Sequence, residues 1–255
     1  MTYCVAISID AGLVFVSDSR TNAGVDNVST YSKMHHFGEP GERQFILLSS
    51  GNLATTQAVI TQIRKDIDKS AAVNLMSVTH MNDAADYIGE VSRKQQKKHA
   101  DDNGNYEASF IIGGQITGNN PDCFLIYPQG NHITTSADTP YLQIGESKYG
   151  KPILDRILTR SSSLETAALC ALVSMDSTMR SNITVGPPIE VMVYHTDSFM
   201  LNRHYRFDES SDYLRQLSKA WDAKLRDAFN NLPPIAWSAN WDNRDEDAAG
   251  EQSST

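Results

Sequence analysis

The apolar positions of this chain switch period several times, and each switch marks a change of element. Residues 3–9, Tyr-Cys-Val-Ala-Ile-Ser-Ile, and 13–17, Leu-Val-Phe-Val-Ser, are β-rich runs separated by Asp10-Ala11-Gly12, which predicts an opening hairpin. Polar residues 21–32 read as an irregular loop. Residues 33–37 and 44–49 then predict a second hairpin, turned by Gly38-Glu39-Pro40-Gly41. From Asn52 the period becomes helical: Leu53, Val59, Ile60, Ile63 and Ile67 recur at three- and four-residue steps. A second helix is predicted over 77–99, with Met81, Ala84, Ala85, Ile88 and Val91 on its apolar face, stopped by Asp101-Asp102-Asn103-Gly104.

Strands return at 109–116, 124–127, 133–135 and 141–144, helices at 150–158 and 164–180, and strands at 190–194 and 200–206. Two antiparallel sheets packed together, with helices on both outer faces, explain that order. The fold class expected is therefore α+β, a four-layer αββα sandwich over residues 1–208. A further helical segment, 211–229, carries Leu214, Leu217, Trp221, Leu225 and Phe229 on one stripe. That stripe either meets a partner or packs on its own domain, and the pattern leaves both open. We take 209–237 as a helical extension and 238–255, acidic and Ser-rich, as a disordered tail.

Composition narrows the partners. A formal net charge of -9 argues against a nucleic-acid backbone, and the one basic run, residues 93–98, ends a predicted helix where it complements the macrodipole. The three cysteines, Cys4, Cys123 and Cys170, are widely spaced with no zinc-ligand spacing, which fits a reducing cytoplasm. No apolar stretch approaches the roughly 20 residues needed to span a bilayer, and the first residues lack the pattern of a signal peptide. No membrane partner is expected.

Candidate chemistry begins at Thr2. A residue this small after Met1 permits removal of the methionine, which would expose an α-amine beside a hydroxyl. An α-amine with a reference pKa of about 7.7–8.0 can serve as base for that hydroxyl near neutral pH. A nearby cation, itself held by a carboxylate, would keep the amine neutral. Asp18, closing the second strand of the hairpin, and Lys33, beginning the next strand, can fill those parts.

Thr2, the strand ending Ser17-Asp18-Ser19-Arg20, Lys33 and Ser49-Ser50-Gly51 together resemble the proteasome β-subunit family. The wording of residues 13–26 and 50–58, and the extra C-terminal helix, most resemble its bacterial homologues. The resemblance implies an N-terminal-nucleophile hydrolase of the threonine peptidase type, with Gly51 offering its amide to an oxyanion. It maps the supporting serine to Ser147, although Glu146 occupies an equally plausible register, and the supporting aspartate to Asp176. Here Ser177-Thr178-Met179-Arg180 departs from the Ser and Gly that the family places after that aspartate. The family's substrate pocket would be lined by Thr21, Tyr31, His35, Ser49 and Leu53. The resemblance further implies a ring or open-ring homo-oligomer acting on peptide or unfolded protein. A non-proteolytic amidohydrolase of the same class and a ring-forming scaffold remain open. His35 and His36, adjacent on a strand, point to opposite faces and cannot share one metal. No metal and no cofactor are expected.

Overall fold

The structure is a computed structural model in which residues 1–22, 28–98 and 104–238 are described. The expected loop tip at 23–27, the helix stop at 101–103 and the tail from 239 onward lie outside the described residues. Residues 1–214 form one compact unit, and a second begins at Arg215.

The opening hairpin consists of β1 (Tyr3–Ile9) and β2 (Gly12–Asp18), both buried along their whole length. Continuous burial is what a strand covered on both faces requires, and it explains why these runs are apolar rather than alternating. β1 also pairs with β10 (Tyr141–Gly145), and β2 with β11 (Ile189–His195). With β12 (His204–Phe207) the order is β10-β1-β2-β11-β12, antiparallel throughout. A second five-stranded antiparallel sheet runs β5 (Met34–Glu39), β6 (Arg43–Gly51), β7 (Ala108–Ile116), β8 (Asp122–Ile126) and β9 (His132–Thr134).

One core cluster draws Cys4, Ala6, Leu13, Phe15 and Met192 from the first sheet together with Ile46, Leu48, Ile111 and Cys123 from the second. The other gathers Val59, Ile60 and Ile63 of α1 (Leu53–Asp68) and Ala84, Ala85 and Ile88 of α2 (Met81–Lys97) against Phe45, Leu47, Phe110 and Ile112. α4 (Leu164–Ser181) runs along β1, β2 and β11, and α3 (Ser147–Ile157) packs on α4. The chain is thus a mixed α+β protein built on two antiparallel sheets. Among the described residues no helix is long and apolar enough to cross a membrane.

Three expected elements change. The segment predicted as irregular contains a two-stranded hairpin, β3 (Arg20–Asn22) with β4 (Val28–Thr30), pairing Thr21 with Ser29. Its polar residues carry no apolar alternation, so periodicity does not reveal it. α2 starts four residues later than predicted, at Met81, where Asp83 accepts from the backbone of His80 at 3.0 Å in a capping box. The strand predicted over 200–206 shrinks to His204–Phe207, after a turn with Asp197 and Phe199 at φ 61° and 47°. In α5 (Asp212–Asn230) none of the described residues is buried, and Leu225 and Phe229 are exposed.

Candidate active site

The hairpin register sets Cys4 opposite Ser17 and so brings Tyr3 level with Asp18. The Tyr3 backbone N–H donates to Asp18 Oδ1 at 3.0 Å, which fixes Thr2, one residue earlier, at the open end of the strand pair. The Thr2 carbonyl accepts from the Glu146 N–H at 2.8 Å. Gly145, at φ +82°, passes so close that a Cβ there would lie 1.9 Å from the Thr2 oxygen, so only glycine fits.

Asp18 is fully buried and accepts from Lys33 Nζ at 2.7 Å. Lys33 also donates to the Arg20 carbonyl at 2.7 Å and is 7% exposed. Burial pushes the Asp18 carboxyl up, and the Lys33 ammonium with the Tyr3 and Gly186 N–H groups pulls it back. Lys33 sits just before β5 rather than in it. Its charge is spent on a buried carboxylate, as the sequence expectation of a cation held by Asp18 requires.

Thr2, Lys33 and Gly51 all line one cavity of about 990 Å³, at the upper end of ordinary ligand sites of roughly 300–1,000 Å³. Asp18 lies behind Lys33. Gly51 ends β6 at φ +112°, where a Cβ would stand 2.4 Å from the Glu107 carbonyl. Immediately after it, Asn52 caps α1 by accepting from the Thr55 N–H at 3.1 Å. No acidic side chain occupies the first turn of α1, so the partial positive charge of that helix end is left unopposed at the cavity wall. Thr21, Tyr31, His35, Ser49 and Leu53 line the same cavity. Ser147, at the start of α3, and Asp176, buried in α4, do not line it. Glu146 lies 3.9 Å from Lys148 and also stays out of the lining. Among the described residues no set of three His, Cys, Asp or Glu side chains converges as metal ligands.

No family model matches the sequence, and no curated protein does. Solved structures do. Anbu, the ancestral β-subunit, from Yersinia bercovieri superposes with a TM-score of 0.87 at 46% identity, covering 91% of this chain and 99% of that one. The chain belongs to the Anbu family. A helical assembly of the Anbu complex from Pseudomonas aeruginosa matches at TM-score 0.88 and 45% identity over 92% of this chain and 99% of that one. A Gly-1 mutant of Anbu from Hyphomicrobium sp. strain MC1 matches at 0.87 and 44%, with the same coverage.

In this Anbu chain several residues near the cavity escape the sequence reading. Glu190 on β11 is 4% exposed and accepts from Ser19 Oγ at 3.1 Å and Ser32 Oγ at 2.6 Å, anchoring the residue beside Lys33. Tyr3 Oη, fully buried, bonds Ser174 of α4 at 2.6 Å and accepts from Gln143 at 2.6 Å, tying the strand that follows Thr2 to its helix layer. From α1 the cavity receives Thr56, Gln57, Ile60, Thr61 and Arg64. The mixture of polar and apolar residues at helical spacing resembles any solvent-facing helix, and so carries no sequence signal. His35 is held down to about 4, first by burial and then by the Arg64 cation.

Proposed function

We propose that the chain is the subunit of a proteasome-like threonine peptidase with a layered αββα domain, in which Thr2 becomes the nucleophile once Met1 is removed. The observation that carries the reading is the buried Asp18–Lys33 pair at 2.7 Å, set one strand position from Thr2 and opening on the cavity that also holds Gly51. An ammonium fixed there disfavours protonation of a neighbouring α-amine and leaves it free to act as a base. The Thr2 hydroxyl oxygen would attack the amide carbonyl carbon as its proton passes to the α-amine. The carbonyl oxygen, gaining charge, would lie toward Gly51 and the start of α1. Collapse breaks the C–N bond, the departing amine takes the proton, and water then cleaves the Thr2 ester to release the acid. Peptide or unfolded protein is the substrate class.

The helical assembly formed by the Pseudomonas relative supports self-association of this chain into a ring or open helix, and the exposed stripe of α5 supplies apolar surface for it. A cytoplasmic setting is consistent with three buried free cysteines. The deciding experiment is intact-mass analysis after treatment with an epoxyketone or β-lactone. A single adduct on a chain lacking Met1, lost in Thr2→Ala, is the expected result. An unmodified chain whose Met1 is shown to be gone would overturn the reading.

A further inference from the structure

The chain is acidic overall, with 31 Asp and Glu against 22 Lys and Arg, yet among the described residues lining the cavity there is no Asp or Glu. Lys33, Arg64, His35 and His36 stand there instead. Lys33 is already neutralised by Asp18. Arg64 is different. Among the described residues it makes no hydrogen bond or ion pair, even though Asp68 follows one turn later on the same helix. It shares a stripe of α1 with Leu53, Ile60 and Thr61, all of which line the cavity, so its position on the wall is set by helical spacing. A guanidinium on a concave wall is suited to a carboxylate, which it can grip with two parallel N–H donors. The net negative charge of the rest of the chain opposes such a ligand only weakly, since exposed charges are screened beyond about 8 Å at physiological salt.

We infer that this cavity selects acidic peptides, with an Asp or Glu side chain of the substrate seated against Arg64. The inference rests on the peptidase reading and adds the substrate class. Arg64 lies eleven residues beyond Leu53 on α1, or about 16 Å at roughly 1.5 Å per residue. An extended peptide advances about 3.3 Å per residue, so the carboxylate falls about three to five residues from the bond at Thr2. The unopposed N-terminal end of α1 lies at the other end of the same wall. The wall is therefore positive at both ends.

The test uses the full-length Thr2→Ala chain, which binds without cutting, and a series of fluorescent octapeptides carrying a single Glu, Gln or Lys at each position in turn. Fluorescence anisotropy should show Glu preferred over Gln by about tenfold at one position, as expected for one charge-assisted pair. Arg64→Glu should reverse the preference to Lys at that position, and Arg64→Lys should retain part of it. Absence of peptide binding, equal binding of Glu and Gln everywhere, or a preference that survives Arg64→Glu each overturns the inference. Labelling of the unsubstituted chain by an uncharged β-lactone reports separately on Thr2. Labelling without Glu selectivity removes the acidic-peptide inference alone, and Glu selectivity without labelling removes the peptidase reading alone.

Discussion

Replacing Lys33 by Ala strips the only charged partner, among the described residues, from a carboxylate with no solvent exposure. At 2.7 Å and an effective dielectric of about 20 the gross attraction is about 6 kcal/mol. Desolvation of both ions offsets much of this, but removing one partner leaves the other buried and uncompensated, which costs about 3–5 kcal/mol. The Tyr3 and Gly186 N–H groups, at 3.0 and 3.4 Å, remain and keep the loss within that range. Against a total stability of about 5–15 kcal/mol this is a large fraction, and at roughly 2–4 °C per kcal/mol the midpoint should fall by about 6–20 °C. Urea unfolding of Lys33→Ala, Asp18→Asn and the double variant forms a cycle, in which the double variant should be more stable than Lys33→Ala alone. In Lys33→Ala the folded-state pKa of Asp18 rises further above its unfolded value. Protonation then favours the folded state, so the gap to the unsubstituted chain should narrow as pH falls from 8 toward 5. If Lys33→Ala unfolds within about 1 kcal/mol of the parent, as an exposed ion pair would, the buried-pair reasoning is wrong. Loss of labelling in this variant is informative about catalysis only at temperatures where the variant is folded.

His35, with its pKa lowered to about 4, contributes stability that is complete above about pH 6.5 and is lost as pH falls toward 4, because the unfolded chain takes up the proton first. The loss should reach at most about 3 kcal/mol across that window, and urea titrations at several pH values should show a shallower slope for His35→Asn; equal slopes would rule this out. Gly51→Ala should destabilise by at least about 1–3 kcal/mol, read from thermal melts, since its φ of +112° and the Glu107 oxygen 2.4 Å from the added Cβ both oppose it. A chain ending at Asp208 should sediment as smaller species if the α5 stripe joins subunits, and an undiminished assembly in the ultracentrifuge would remove α5 from that interface.

Much of the frame was legible because local chemistry and tertiary demand agree. The β1–β2 hairpin and the apolar faces of α1 and α2 follow from runs and spacings that burial also requires. Asp18 and Thr2 could be brought together from hairpin geometry alone. Lys33 could be matched to Asp18 from the chemistry a terminal threonine needs, but the depth of their burial could not, since nothing in the neighbours of Lys33 along the chain announces that the two meet where both are screened from water. Glu190 lies in an apolar strand and acquires its meaning only from Ser19 and Ser32, more than 150 residues away. Arg64 was invisible for the opposite reason: a polar residue on an amphipathic helix is the ordinary surface pattern, whether it faces bulk water or the wall of a cavity.

The first strand of the chain is not an edge strand. β1 is flanked by β2 and by β10 at residues 141–145, and β2 by β11 at 189–195. During synthesis β1 and β2 emerge well before β10 and β11, the strands that come to flank them. The roughly 125 residues from the end of β2 to β10 take about 6–25 s at about 5–20 residues per second. Through that interval β1 has only β2 beside it, and Thr2 still lacks the Glu146 N–H that pins its carbonyl. The order of translation thereby separates the pairing of β1 with β2 from the pinning of Thr2 beside β10.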